Sequence, residues 1–190
     1  MDKQNKLISK AVQGDNIAFE ELMYPFMKII YNYILVHVTN HEDAEDILQD
    51  TMLGAWNSLK SYNHSSTLKT WMIGITRKKI ADYYRKIYSN KQFEFVDISQ
   101  LNEDTNLNTQ INNQTGNFID SLIDSIDVKN AVNILNPNDK DLLYLVFNAQ
   151  LTYSEIHNIT NTPIGTIKSR MHAIKIKLRP LLEDRRDNKL

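Results

Sequence analysis

Apolar residues recur at three- and four-residue spacing along most of this 190-residue chain, the period of a helix that buries one face. The residues between these stretches place the helices. A short first helix is predicted near Lys3 to Val12. Asp15 is a good N-cap for a second, which runs to about His37. Pro25 inside it predicts a kink or break, because proline offers no N–H to the helical ladder. Thr39-Asn40-His41-Glu42 has the Thr-x-x-Glu form of a capping box and opens a third helix. Ala44, Ile47, Leu48, Met52, Ala55, Trp56 and Leu59 form its single apolar stripe. A fourth helix follows Ser65-Ser66-Thr67 and extends to about Ile87, burying Leu68, Trp71, Met72, Ile75 and Tyr83.

Between residues 89 and 118 the periodicity fails. Asn102, Asn106, Asn108, Asn112, Asn113 and Asn117 stand there among Gln, Thr and Ser, a composition that reads as a flexible linker. Beyond it, helices are predicted over 119–135, ending before Pro137, and over 139–148. The predicted fold is all-α: two small helical domains, 1–88 and 119–190, joined by the linker 89–118. With only 5 Gly and 4 Pro, the sequence has few helix breakers, and no strand pattern, internal repeat or glycine-rich phosphate loop interrupts this reading.

The end of the chain carries the most specific pattern. Thr152-Tyr153-Ser154-Glu155 is a second capping box, opening a helix to about Thr160. A short polar turn follows, then Thr162 as N-cap and Pro163 at the first helical position, where its missing N–H costs nothing. The last helix carries Lys168, Arg170, Lys175, Lys177 and Arg179, with no acid among them. Two helices, a tight turn and a basic second helix describe a helix-turn-helix, whose second helix enters the DNA major groove. Ile156, Ile159, Ile164, Ile167, Met171, Ile174 and Leu178 are its expected core. Lys168, Ser169 and His172 fall on the opposite face, near base edges. Thr166 and the free N–H groups at the helix start suit a phosphate, and Lys175 and Lys177 lie further along.

The formal net charge of −1 conceals segregation. Asp43, Asp46, Gln49 and Asp50 share the polar face of the third helix. Like charges at that spacing repel, so the face is read either as solvated or as a protein-docking surface, and the pattern alone leaves both open. Lys69, Arg77, Lys78, Lys79, Arg85 and Lys86 make the fourth helix basic, and Tyr83 and Tyr84 lie among them. Basic side chains neutralise phosphates while aromatics stack on unpaired bases. Trp71 is read as core, whereas Tyr62, in the loop before the helix, is freer to meet a base. The absence of cysteine excludes disulfides and thiolate metal sites within the chain. His41, Glu42 and Asp43 are better explained by helix capping than by metal binding, so no catalytic residue, metal or cofactor is expected. The start, Met1-Asp2-Lys3-Gln4-Asn5, is unlike a signal peptide, and residues 26–38 are too short and polar to span a bilayer; a soluble cytoplasmic protein without membrane insertion is expected.

Taken in order, these residues resemble the bacterial sigma-70 family, in particular its extracytoplasmic-function (ECF) group. Gly14-Asp15-x-x-Ala18-Phe19-Glu20-Glu21-Leu22, Asp43-Ala44-Glu45-Asp46-Ile47-Leu48-Gln49-Asp50-Thr51, Trp71-Met72-Ile73 and Asp82-Tyr83-Tyr84-Arg85-Lys86 look like the family's region 2. Leu135-Asn136-Pro137, Tyr153-Ser154-Glu155-Ile156 and Pro163-x-Gly165-Thr166-Ile167-Lys168-Ser169-Arg170 are similar to region 4. The resemblance implies a specificity subunit of RNA polymerase. The acidic face, Asp43, Asp46, Gln49 and Asp50, would bind the core enzyme. Tyr62, Asn63, Ser66, Thr67, Arg77, Lys78, Tyr83 and Arg85 would capture and open the −10 element, and Thr166, Lys168, Ser169, His172, Lys175 and Lys177 would read the −35 element. Strand opening would then be preferential binding to unstacked bases rather than side-chain catalysis. The implied partners are core RNA polymerase, promoter DNA and an anti-sigma factor, which in this family is commonly membrane-tethered. Lys78 stands where Asn is usual, His157 where a small Ala is usual, and Ala173 where Arg is common. The competing reading is a stand-alone helix-turn-helix regulator, which leaves the acidic helix and the first basic block without a role.

Overall fold

The computed structural model describes residues 3–92, 132 and 134–187. Seven helices are defined among them: α1 (Lys3–Val12), α2 (Asn16–His37), α3 (His41–Ser58), α4 (Leu68–Gln92), α5 (Pro137–Phe147), α6 (Tyr153–Thr160) and α7 (Ile164–Asp187). A single 3₁₀ turn, Leu59–Ser61, follows α3, and no strand occurs among the described residues. The predicted helix over 119–135 and most of the predicted linker lie outside the described residues. The linker boundary moves, because α4 continues through Ser89 to Gln92.

The caps explain most of the helix starts. Asp15 accepts the Ala18 amide at 3.0 Å, and Gly14 before it takes φ +97°, a left-handed conformation that a side chain would strain. Helix α2 then runs through Pro25 without a break. The third helix is capped by Asn40, not Thr39: the Asn40 side chain accepts the Glu42 amide at 3.0 Å. An Asn in extended conformation caps at least as well as a Thr and sits one residue closer. Thr67 caps α4 by accepting the Thr70 amide at 3.1 Å. Asn136 caps α5, which starts two residues earlier than predicted because Pro137 occupies its first turn.

The helix-turn-helix forms as α6 and α7. Its capping box is complete: Glu155 N–H bonds Thr152 Oγ1 at 3.2 Å, and Thr152 N–H bonds Glu155 Oε2 at 2.9 Å. Asn161 ends α6 in the left-handed conformation. Helix α7 begins at Ile164, and the Pro163 carbonyl accepts the Ile167 amide, so the cap falls one residue later than Thr162. Ile164 is exposed rather than core, because it is the first residue of α7 and lies at the free end of the buried stripe, whereas Ile156, Ile167, Met171 and Ile174 are buried as predicted. Thr152→Ala removes one acceptor of the box. It should cost about 1 kcal/mol and lower the thermal midpoint by about 2–4 °C, measurable by circular dichroism.

Helices α1 to α4 form one unit and α5 to α7 a second. The two units pack against each other, and their buried residues form one continuous core. Helix α2 packs on α5, and α4 packs on α6. Tyr33 of the first unit and Tyr144 of the second are both fully buried, with ring centroids 5.4 Å apart. The Tyr144 hydroxyl donates to the Ile29 carbonyl at 2.6 Å, so α5 is tied to the backbone of α2.

Candidate nucleic-acid interface and polymerase surface

Helix α3 divides cleanly. Ala44, Ile47, Thr51 and Ala55 are buried, and Thr51 returns its hydroxyl to the Ile47 carbonyl at 2.8 Å, so the helix carries its one buried hydroxyl without a penalty. Asp46, Gln49 and Asp50 are exposed together. Leu53, one turn further on, is 57% exposed and extends this acidic face with an apolar residue. Asp43 differs from its neighbours: half-buried, it accepts the Tyr83 hydroxyl at 2.8 Å. That bond joins α3 to α4. Burial and the neighbouring carboxylate together push the Tyr83 phenol well above its ordinary value, so it stays a neutral donor.

The loop before α4 is more ordered than its polar sequence suggests. Tyr62 donates to the Ser66 carbonyl at 2.7 Å, and its ring rests between His64 at 4.6 Å and Trp71 at 5.2 Å. Asn63 caps the turn by accepting the Ser65 amide at 3.1 Å. His64 takes φ +59°. A cleft of about 480 Å³ opens beside this loop, lined by Tyr62, His64, Thr67 and Lys69 of the first unit and by Gln150 and Glu155 of the second. Further along α4, Lys78 is exposed, and Arg85 is exposed but paired with Asp82 at 2.6 Å.

On α7, Lys168, Ser169, His172 and Lys175 all face solvent, as the spacing predicts. Ser169 donates to the Thr166 carbonyl at 3.0 Å, and Thr166 is half-buried. Lys177 is half exposed and reaches Asp139 at 3.3 Å, bridging α7 to α5. His157 fills the place of the usual small residue by facing outward, and its Nδ1 meets the Thr162 carbonyl at 2.9 Å, fastening α6 to the turn.

Arg77 is placed differently from the other basic residues. Its Nη1 donates to the Tyr33 hydroxyl and to Asp141 Oδ2, both at 2.7 Å. The Tyr33 hydroxyl donates to Asp141 Oδ1 at 2.6 Å, and His37 Nε2 stands 3.2 Å from the same oxygen. Asp141 belongs to α5 and the other three to the first unit, so one carboxylate closes the interface. Burial alone would raise the Asp141 carboxyl. The His37 bond, the Arg77 charge and the Tyr33 hydroxyl outweigh it and hold the group well below the usual carboxylate range. Burial likewise opposes the Arg77 charge, but Tyr33 and Asp141 outweigh it and fix the guanidinium in its charged form. Tyr33, His37 and Asp141 escape sequence reading because their contacts join residues about a hundred positions apart.

Because Asp141 is depressed in the folded chain, its contribution is complete above the ordinary Asp value of about 3.9. It is lost only as pH falls through the lower folded value. The Asp141 contribution to the interface should therefore be complete at neutral pH and weaken only in strong acid. Acid titration followed by near-ultraviolet circular dichroism checks this, and Asp141→Asn should remove that part of the acid response.

Two stretches of the chain match described protein families. Residues 18–89 match Sigma-70 region 2, and residues 131–179 match Sigma-70, region 4. The first spans most of the α1–α4 unit and the second the helix-turn-helix unit, in the order the residues suggested. The chain belongs to the sigma-70 family, in its extracytoplasmic-function group. It is similar to the ECF RNA polymerase sigma factor SigW of Bacillus subtilis, at 27% identity over 183 residues, covering 94% of this chain and 96% of SigW. The RNA polymerase sigma factor HrpL of Pseudomonas syringae pv. syringae is 24% identical over 157 residues, covering 83% of each chain. Among solved structures, the sigma factor RpoE of Bartonella quintana, in complex with the anti-sigma factor NepR, superposes with a TM-score of 0.62 at 24% identity, covering 87% of this chain and 96% of that one. CnrH, in complex with the cytosolic domain of CnrY, gives 0.63 at 16% identity, covering 96% and 99%. These likenesses show a shared fold.

Family membership makes the chain an RNA polymerase sigma factor and disfavours the stand-alone regulator. The family is non-enzymatic. Among the described residues, no group of three metal-ligating side chains converges, and no helix is long and apolar enough to cross a membrane.

Proposed function

We propose that the two units divide the work of promoter recognition. The exposed face of α3, with Asp46, Gln49 and Asp50 followed by Leu53, docks on core polymerase, while Asp43 holds α3 to α4 through Tyr83. The loop 61–67 and α4 capture the −10 element: Tyr62 and Thr67 line the cleft that receives an unstacked base, Asn63 and Ser66 stand in the same loop, and Arg77, Lys78, Tyr83 and Arg85 lie along α4 toward the phosphates. Helix α7 reads the −35 element, with Lys168, Ser169 and His172 at base edges and Thr166, Lys175 and Lys177 at the backbone. The supporting observation is the sorting of exposed charge. Acids without bases cover the outer face of α3, and bases without acids cover the outer face of α7 from Lys168 to Arg179. An acidic protein-docking surface and a basic DNA surface on one chain fit a subunit that bridges an enzyme to DNA.

Run-off transcription with core polymerase on a randomised promoter library tests the reading. Chain-dependent transcripts should share one upstream and one downstream motif. Specific DNA binding without any chain-dependent transcript would favour the stand-alone regulator instead. We also propose an anti-sigma factor as inhibitory partner, held at a membrane, with the chain itself acting in the cytoplasm. RpoE is seen with the anti-sigma factor NepR, and CnrH with the cytosolic domain of CnrY. Affinity capture before and after envelope stress should recover that partner only before the stress.

A further inference from the structure

We infer that His157 is a positioning residue for −35 readout: its imidazole pins the free end of α7, so that Lys168 and Ser169 meet DNA in one fixed arrangement. The inference rests on the proposed role of α7. The apolar stripe of α7 takes hold only at Ile167, which is buried together with Met171 and Ile174. Ahead of it Pro163, Ile164 and Gly165 are all exposed. The end of the helix that is proposed to meet base edges is therefore the end that the core does not hold. Helix ends without tertiary anchors fray, and a frayed end opens at little cost in free energy.

The turn before α7 is bonded mostly from the α6 side. The Asn161 amide bonds the His157 carbonyl at 2.8 Å, and the Thr162 amide bonds Thr160 Oγ1 at 3.2 Å. The Thr162 carbonyl is different. The α7 ladder starts one residue later, with the Ile167 amide on the Pro163 carbonyl at 3.0 Å, and among the described residues no backbone amide bonds the Thr162 carbonyl. The His157 ring meets that oxygen instead, from Nδ1 at 2.9 Å, and the side chain is exposed, so burial does not explain its place. A carbonyl only accepts, so Nδ1 carries the proton. The bond ties the residue before Pro163 to the body of α6. From there the contacts run into the reading face, because Ser169 donates to the Thr166 carbonyl at 3.0 Å, in the first turn of α7.

An alanine at this position could not make the bond, although it would be the better helix former within α6. Removing the imidazole should therefore leave α6 at least as stable while freeing the first turn of α7. Recognition geometry tolerates displacements of only about 0.5 Å. Lys168 and Ser169 stand nearest the freed end, so the bases they read should blur. His172 lies a turn deeper, next to the buried Met171, so the base it reads should be spared.

Three substitutions in the whole chain separate this role from a merely structural one. Asn carries its side-chain N–H where the imidazole carries Nδ1, whereas Gln carries it further out, near the place of Nε2. His157→Ala, His157→Asn and His157→Gln are compared with the wild type by selection from promoters randomised at the −35 element, each with core polymerase. Hydrogen exchange of the free chain follows the Ile167 amide, and circular dichroism checks the fold. His157→Ala should keep the wild-type thermal midpoint. Its Ile167 amide should exchange at least tenfold faster, and its preference should fall at least threefold at the positions that Lys168→Ala also blurs, with little change at the position that His172→Ala blurs. His157→Asn should restore most of both, and His157→Gln should behave like His157→Ala. An alanine variant that selects the wild-type motif with equal sharpness would overturn the positioning role. So would a loss that Asn fails to restore, because the imidazole would then act through something other than its Nδ1 bond. Failure of the −35 reading looks different. A wild type that drives transcription with no upstream motif would remove −35 readout from α7, while faster Ile167 exchange in His157→Ala, reversed in His157→Asn, would still show that His157 fastens the turn.

Discussion

Changing both Asp46 and Asp50 to lysine is expected to lower affinity for core RNA polymerase by at least about a hundredfold while leaving the fold intact. The fold should survive because both side chains are exposed and neither holds a described hydrogen bond or ion pair across the structure. The variant should in fact form α3 slightly more readily, since Asp43, Asp46 and Asp50 repel one another at three- and four-residue spacing. A partner that brings positive charge to this face would offset that cost. Reversing both turns two attractions into two repulsions, and like charges brought together at an interface cost several kcal/mol. Co-purification with core enzyme, with circular dichroism as the folding control, decides the matter. A well-folded variant that binds core enzyme normally would remove the polymerase assignment from this face. Asp43→Lys is a different experiment. Asp43 accepts the Tyr83 hydroxyl, so its loss should loosen α3 from α4 and lower thermal stability as well as binding.

The contrast between Asp43 and Asp46 shows where sequence reading stops. The period of the apolar stripe placed both on the polar side of α3, and that was enough to find the surface. It could not show that Asp43 turns far enough toward α4 to meet Tyr83, forty residues away. The same limit explains the larger difference. Helix existence, the Asp15 cap, the second capping box and the outward face of α7 are local matters, decided by residues a few positions apart, and all were legible. The Asn40 cap and the late start of α7 are local too, and they differ by one residue, the precision that cap competition allows. The packing of α5 on α2 had no local signal. Nothing local in the sequence sets Tyr33, Tyr144 or Asp141 apart from the other residues of their helices. Only the fold brings Arg77 to Asp141: its helix alone presents Arg77 as one more basic side chain for phosphate, and the structure finds it in an interface.

On α7 the expected outcome divides along the helix. Lys168→Ala or His172→Ala should change which −35 sequences support transcription, and Lys177→Ala should weaken binding to all of them alike. Lys168, Ser169 and His172 are exposed on the first turns of α7, the part of a recognition helix that meets base edges. A direct base contact is worth about 1–3 kcal/mol of discrimination, so losing one should flatten preference at one or two positions by roughly 5- to 150-fold. Ser169 already gives its proton to the Thr166 carbonyl, so it should contribute as an acceptor and Ser169→Ala should have the smaller effect. Lys177 lies further along and is held by Asp139 at 3.3 Å. Lys177 is half exposed, and the buried Asp139 carboxylate keeps its hydrogen bond from the Asn136 side chain when the lysine leaves, so a phosphate can draw the lysine away. Lys177→Ala should then reduce the salt dependence of DNA binding by about one unit of log-log slope and leave the selected motif unchanged. Selection from promoters randomised at the −35 element, with the wild type and all four variants in holoenzyme, reads both outcomes at once. One shared motif from wild type, Lys168→Ala and His172→Ala would move direct readout off this face and onto the turn of residues 161–163, where His157 already fixes the Thr162 carbonyl.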